Sequence, residues 1–301
     1  MKRGIAIAGT HGKTTTTSLV ASIFTEASLD PTFINGGIIN SFASNAKLGK
    51  GDYLVAEADE SDQSFLMLQP SVSIITNIEE DHLINYGNDF ENLRKAFLSF
   101  VKKLPFDGLL IACGDDPEVQ KLLPQCSRPN VTYGFDEIND YVISNYEPSE
   151  FRSHFLLTYS GQSIQIDLNM LGRHNALNAS AACVLAIEEG IDTSIIQVAL
   201  KNFMGISRRM QVVGNMNIKN SNLILIDDYG HHPSEIKNTI ESIRESHPKK
   251  KLTMVFQPHR YTRTKDLFEE FVEVLQLVDQ LILLDVYPAG EDLIKNYESK
   301  D

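Results

Sequence analysis

Residues Gly9-Thr10-His11-Gly12-Lys13-Thr14 stand between a short apolar run, Ile5 to Ala8, and a stretch of helical spacing that begins at Thr14. That is the setting a phosphate-binding loop requires. Glycines let backbone amides turn toward phosphate oxygens, and the helix N-terminus adds partial positive charge. Lys13 supplies a full charge, and the Thr14 hydroxyl suits Mg²⁺. Gly9, Thr10, His11, Gly12, Lys13, Thr14 and Thr15 are the expected phosphate-side contacts. The spacing departs from the common GxxxxGK[ST], because Ile7 stands where the first glycine would be.

Two acidic clusters follow apolar runs in the same way. Tyr53 to Ala56 leads into Glu57, Asp59, Glu60 and Asp62; Val72 to Ile78 leads into Glu79, Glu80, Asp81 and His82. An acid directly after a buried strand is where a nucleotide enzyme holds Mg²⁺ beside the phosphates, which makes Glu57 a metal candidate. Asp59, Glu60 and Asp62 read as a solvated acidic turn. Mg²⁺ prefers oxygen ligands, so His82 is a candidate only through its place at the same edge.

Lys and Arg total 27 against 40 Asp and Glu, a net charge of −13. A polyphosphate must therefore find local islands of positive charge. Arg173-His174, Arg208-Arg209, His231-His232 and His259-Arg260 with Arg263 are such islands, each in a loop at a strand end or domain joint. His231-His232 is a poor metal pair, since adjacent side chains on one loop seldom converge.

The elements that must position these residues alternate in a βαβ rhythm. Strands at Ile5–Ala8, Tyr53–Ala56, Val72–Ile78 and Gly108–Cys113 alternate with helices over Thr14–Ala27 and around Leu93–Val101, which predicts a mostly parallel α/β sheet covered on both faces. Ligands bind outside the carboxyl ends of such strands. Phe155–Tyr159 and Ser163–Leu168 flank Ser160-Gly161-Gln162 as an antiparallel hairpin. Helices resume at Asn175–Glu189 and Ser194–Asn202. Gly205 in the stretch Phe203–Ser207 divides the chain into 1–205 and 206–301. The second part restarts the pattern: strand Leu223–Ile226, a helix opened by Pro233, strand Leu252–Phe256, helix Leu267–Val278, strand Leu281–Val286. No GxGxxG follows Leu223–Ile226, so a dinucleotide-binding site there has no support.

At 301 residues, two domains are expected. Hydrophobic residues at 42% and charged residues at 22% suit a globular chain with a real core. The acidic balance argues against nucleic acid and anionic membrane as partners. Three cysteines without CxxC spacing argue against a disulfide scaffold or a cysteine zinc site. With no apolar run near the ~20 residues of a membrane span, and a start too short for a signal peptide, the expected location is cytoplasmic.

The sequence resembles the Mur ligases, ATP-dependent amide-forming enzymes of peptidoglycan synthesis, in AGTHGKTTT, AEADESD, NIEEDH, LGRHNALNASAA, RRMQ, DDYGHHPSEI, FQPHRYTRT and DVYPAGE, in that order. Within the family these motifs are most similar to the member joining L-alanine to UDP-N-acetylmuramate; the ligase of recycled murein tripeptide is the alternative, and a catalytically inactive ATP-binding fragment a further one. The resemblance implies ATP and Mg²⁺, a P-loop central domain followed by a Rossmann-like domain, and a role in cell-wall biogenesis, cell shape and division. It implies that Lys13 binds the β/γ-phosphates, Thr14, Glu57 and His82 serve Mg²⁺, and Asn175 and Asn178 lie near the adenine. Arg209 would approach the phosphates and Asp228 would hold the ribose. Tyr229, His231, Arg260 and Arg263 would shape the amino-acid pocket. Family members also carry an N-terminal UDP-binding domain and continue past DVYPAGE, so a truncated chain that binds Mg-ATP without ligating alanine is expected.

Overall fold

The computed structural model describes residues 2–81, 83–218, 221–295, 297 and 299. Two compact units divide the chain, 1–207 and 208–301.

In the first unit, β1 (Arg3–Ala8) leads into α1 (Lys13–Glu26), followed by β2 (Thr32–Ile39), β3 (Ser44–Lys47), β4 (Tyr53–Glu57) and β5 (Val72–Ile75). Then come α2 (Phe90–Val101), β6 (Leu109–Cys113), α3 (Pro117–Leu122) and β7 (Asn130–Gly134). The unit closes with β8 (Tyr141–Ser149), β9 (Arg152–Tyr159), β10 (Gln162–Leu168), α4 (Arg173–Glu188) and α5 (Thr193–Lys201). Among the described residues these strands form one ten-stranded sheet, ordered β10-β9-β8-β7-β6-β5-β1-β4-β2-β3. Pairing is parallel from β2 through β8 and antiparallel at both ends. The β9–β10 hairpin is therefore the edge of the main sheet, reached through β8.

The period of two explains why β1 lies in the interior of the sheet, between β5 and β4. Ile5 and Ile7 point into a core shared with α1, α4 and α5, while Ala6 and Ala8 join Phe97 and Phe100 of α2 on the opposite face. Burial on both faces makes β1 an unbroken apolar run. Asp89 and Asp116 cap α2 and α3 by accepting from first-turn amides, and Pro117 opens α3 where its missing N–H costs nothing. The alanines of α4 let it lie close to α1 and the sheet.

The second unit contains β11 (Gln211–Ile218), β12 (Ser221–Asp227), α6 (Pro233–Ser246), β13 (Thr253–Phe256), α7 (Tyr261–Asp266), α8 (Phe268–Leu275) and β14 (Gln280–Leu283). β11 pairs antiparallel with β12, and β13 pairs parallel with β14. Its core is a small cluster of Ile236, Ile240, Phe256, Phe271 and Val274.

Several boundaries differ from the sequence expectation. The run Val72–Ile78 leaves the sheet after Ile75, because Thr76 and Asn77 turn to bond the loop after β1. The helix expected over Leu267–Val278 is present as the shorter α8, and α7, whose C-cap is Leu267, precedes it where no helix was expected. Strands β2, β3, β7, β8 and β11 had no sequence expectation; β2 carries Asn35-Gly36-Gly37 in its middle, and the second half of β8 is polar. Among the described residues no helix is long and apolar enough to cross a membrane.

Candidate functional site

Three adjacent parallel strands, β4, β1 and β5, end side by side, and their loops meet. Gly9 (φ +139°) and Gly12 (φ +84°) adopt backbone conformations that a side chain resists. A Cβ on Gly9 would lie 2.0 Å from Thr76 Oγ1, and one on Gly12 2.3 Å from Asn178 Oδ1. The loop is pinned from β5: Thr10 N donates to Asn77 O (3.1 Å), His11 N to Asn77 Oδ1 (2.8 Å), and Thr76 Oγ1 to His11 O (2.6 Å). Thr10 Oγ1 accepts from Glu79 N at 2.8 Å.

Gly12 is the N-cap of α1, so no side chain caps the first-turn amides. Those donors and the dipole face the loop mouth, an anion site by construction. Thr15 is buried in the same turn. Lys13 Nζ donates to Gly9 O (2.6 Å) and Thr10 O (3.1 Å) and is ion-paired with Glu60.

Thr14 Oγ1 donates to Glu57 Oε1 at 3.1 Å, and Glu57 Oε2 accepts from Gly36 N at 2.7 Å. Gly36 is needed there, since a Cβ would sit 2.8 Å from the carboxylate. A hydroxyl and a carboxylate side by side are hard oxygen donors, and that set fits Mg²⁺. His82, the third metal candidate, lies outside the described residues.

Glu60 overturns its expectation as part of a solvated turn. It is 2% exposed, with Lys13 as its counter-charge. Burial pushes its carboxyl up to about 7 despite the pull of Lys13. A lysine tucked against its own loop needs a nearby anion, which was the signal for this residue. The Gly36-Gly37 pair inside an apolar run was the signal for the close approach to Glu57 and Thr14.

Asn175 and Asn178 are buried one turn apart on α4, where Asn178 Nδ2 donates to Asn175 Oδ1 (3.3 Å) and Thr16 Oγ1 donates to Asn178 Oδ1 (3.4 Å). Helix α4 thus touches the phosphate loop through Asn178. Arg173 stacks on Phe135 at 3.7 Å.

In the second unit, Asp228 at the end of β12 accepts from Met210 N (2.7 Å) and Gly230 N (2.8 Å), and burial raises its pKa. Arg209 reaches Glu235 at 3.3 Å, and Glu235 also accepts from His231 N at 3.0 Å. His232 caps α6 in a reciprocal box with Glu235. Tyr229, His231, His259 and Tyr287 form a chain of rings with centroids 5.2, 6.1 and 5.4 Å apart. Arg208 lies 4.5 Å above Tyr229. Arg260 (φ +73°) donates its amide to Tyr287 O (2.8 Å), and Arg263 reaches His259 O (3.4 Å). Desolvation lowers His231 to about 4, so its ring is neutral near pH 7. The loops after β12, β13 and β14 therefore bring together Tyr229, His231, Arg260 and Arg263, with Tyr287 as a member to which the sequence assigned no role.

The Mur ligase middle domain matches residues 7–186, and the Mur ligase glutamate ligase domain matches 208–300. The UDP-N-acetylmuramate–alanine ligase of Thermotoga maritima is 32% identical over 95% of this chain and 62% of that chain, with a TM-score of 0.81. A murein peptide ligase from Psychrobacter arcticus shares the fold at 24% identity, over 94% of this chain and 63% of that one, with a TM-score of 0.69. MurF ligase from Thermotoga maritima, in complex with ADP, shares the fold at 18% identity, over 94% of this chain and 66% of that one, with a TM-score of 0.74. The chain spans less than two thirds of the length of each. With the middle-domain match alone extending over more than half its residues, and the phosphate loop, Glu57 and the asparagines of α4 all inside that match, the chain belongs to the Mur ligase family, whose members are ATP-dependent amide ligases.

Proposed function

We propose that this chain forms the ATP-binding and amino-acid-binding parts of a cytoplasmic ligase that joins L-alanine to UDP-N-acetylmuramate through an acyl phosphate. The uncapped N-terminus of α1, with Lys13 beside it and the Thr14–Glu57 pair at its side, is the observation that carries the reading. The 32% identity to an alanine ligase supports the substrate.

A carboxylate is a poor acylating agent. One of its oxygens attacks the γ-phosphorus of ATP, the bond from that phosphorus to the β–γ bridging oxygen breaks, and ADP leaves. The amine then attacks the acyl carbon, phosphate departs with the C–O electron pair, and the nitrogen gives up a proton. Lys13 and the α1 amides hold the phosphates in place and balance their charge, so no covalent nucleophile on the protein is required. Thr14 and Glu57 would hold Mg²⁺, which neutralises phosphate charge when bound. Asn175 and Asn178 would face the adenine, Arg209 the phosphates and Asp228 the ribose. Tyr229, His231, Arg260 and Arg263 would orient the amino acid.

The test has two arms. MgATP affinity is measured by calorimetry on this chain and on Lys13→Ala; a loss of about a hundredfold or more is expected, with the protein still folded. ADP and phosphate release is then followed in this chain, alone and fused to the UDP-binding domain of a relative. Release that requires both UDP-N-acetylmuramate and L-alanine is expected from the fusion. Release with murein tripeptide instead of alanine would favour the recycling ligase, and release without any amino acid would replace the reading with a hydrolase.

A further inference from the structure

We propose that Glu60 is a resident counter-ion of the phosphate-loop lysine, a positioning residue whose place on the Lys13 ammonium a phosphate of MgATP takes on binding. The inference rests on the ATP-binding reading above and adds an exchange step to it.

An ammonium has three protons to donate. Those of Lys13 are directed at Gly9 O (2.6 Å), Thr10 O (3.1 Å) and Glu60, whose Oε1 accepts at 3.0 Å while Oε2 lies 2.7 Å away, off the hydrogen-bonding direction. The side chains are 12% and 3% exposed, so water does not compete for this ammonium as it would at a surface. A phosphate oxygen can gain a proton from Nζ only if one of these partners gives way.

The two carbonyls belong to the loop itself, which Asn77 and Thr76 pin from β5. They cannot leave without undoing the loop. The Glu60 side chain can. Its backbone is anchored, with its carbonyl accepting from Tyr86 Oη at 2.5 Å and from Gln63 N at 3.0 Å, so the exchange is a rotation of one carboxylate arm. A phosphate dianion beside Lys13 would also repel an ionised Glu60 directly.

Once displaced, the carboxylate is buried with no compensating cation. Among the described residues, the charged and titratable groups facing it are Lys13 from the start of α1, Asp59 from its own loop, which repels it, and Tyr86 from the turn Leu83–Tyr86, whose hydroxyl is committed to the Glu60 carbonyl. With Lys13 in place its pKa is already up at about 7. Losing Lys13 raises it further, so the carboxylate takes a proton from solvent as the phosphate arrives. Proton uptake is the signature that a merely structural glutamate would lack.

The experiment is calorimetric titration of the chain with MgATP at pH 8, in two buffers of different ionisation enthalpy. Wild type, Glu60→Gln, Asp59→Asn and Lys13→Ala are compared, with Glu60→Met run beside Glu60→Gln as an uncharged replacement of similar size. Melting curves check that each variant is folded. Expected results are proton uptake in wild type, none in Glu60→Gln, and affinity about tenfold tighter in Glu60→Gln. Asp59→Asn removes the same charge from an exposed neighbouring site and should stay within about twofold of wild type. Equal or weaker binding by both Glu60 variants overturns the proposal. So does a gain no larger than that of Asp59→Asn, or proton uptake that persists without the carboxylate. Wild-type affinity in Lys13→Ala would instead overturn the ATP reading itself.

Discussion

Strand β1 buries every residue from Ile5 to Ala8, whereas all four residues of β14 are exposed. The two strands stand for the two units. In the first, the loops with Lys13, Glu57 and Glu60 hang from a sheet sandwiched between helices, so they inherit their rigidity from the core. In the second, the main buried cluster among the described residues is five side chains, and the loops after β12, β13 and β14 hold one another through stacked rings and ion pairs. A dry, rigid edge can keep an ionised lysine and a buried carboxylate within 3 Å. A loop cluster with its own cohesion is better placed to vary its pocket, which is where substrate choice in a ligase would reside.

The largest expected effect comes from the cores themselves. Phe97 is fully buried and packs edge-on against Phe65 at 5.4 Å. Truncating it to Ala removes a large side chain from a region that cannot collapse, so a loss of about 4–5 kcal/mol is expected by urea denaturation. Phe271, 5.7 Å from Phe256 in the smaller cluster, should lose about 3 kcal/mol or less as Ala, because fewer neighbours constrain its surroundings. Equal losses would mean that the second unit is as tightly packed as the first.

The units should also titrate in opposite directions. The Glu60 carboxyl is raised from 4.5 to about 7, so the fold favours its protonated form. Its contribution is complete below about pH 4.5 and is lost as pH climbs through 7, a change of about 3 kcal/mol. His231 is lowered from 6.5 to about 4, so the fold favours the neutral ring. That contribution is present above pH 6.5 and is lost as pH falls through 4. Hydrogen exchange read separately for each unit should show first-unit protection falling between pH 5 and 7.5, and flattening in Glu60→Gln. Second-unit protection should fall on the acid side and flatten in His231→Gln. A common pH response in both units, unchanged by either variant, would refute the assignment.

Legibility in the sequence followed the same division. Strands β1, β5 and β6 were visible because burial on both faces turns them into apolar runs, and β4, buried only at Val55, was visible as the short apolar run Tyr53–Ala56. Their loops drew attention because polar residues followed abruptly. Strand β3 lies at the edge of the large sheet and β11 in a two-stranded ribbon, where polar residues are tolerated and the run breaks up. Strand β7 lies inside the sheet but is buried only at Tyr133 and Gly134, so its run is short and mixed. Lys13, Thr14 and Glu57 belong to a pattern of local spacing, so their types alone suggested a role. Glu60 did not, because its burial depends on Tyr86 and Lys13, from two other segments. An acid in ESD looks the same whether water or an ammonium faces it. Tyr287 was hidden for the same reason, since only the stack with His259 gives it a place.

The smallest expected effect is at Leu225 on β12. It is 46% exposed and sits opposite Gly214 of β11, with Val213 and Leu223 similarly exposed on the same ribbon. Full burial of a leucine is worth about 1.5–3 kcal/mol, so a side chain half in water has roughly half of that to lose. Leu225→Ser should therefore cost about 1 kcal/mol, measured by urea denaturation with hydrogen exchange assigning the loss to the second unit. The same polar change at Ile7 on β1 would strand a hydroxyl in a core with no acceptor and cost several-fold more. A loss at Leu225 of about 3 kcal/mol or more would show that its side chain is covered in solution, and β12 would then have to be counted among the buried strands.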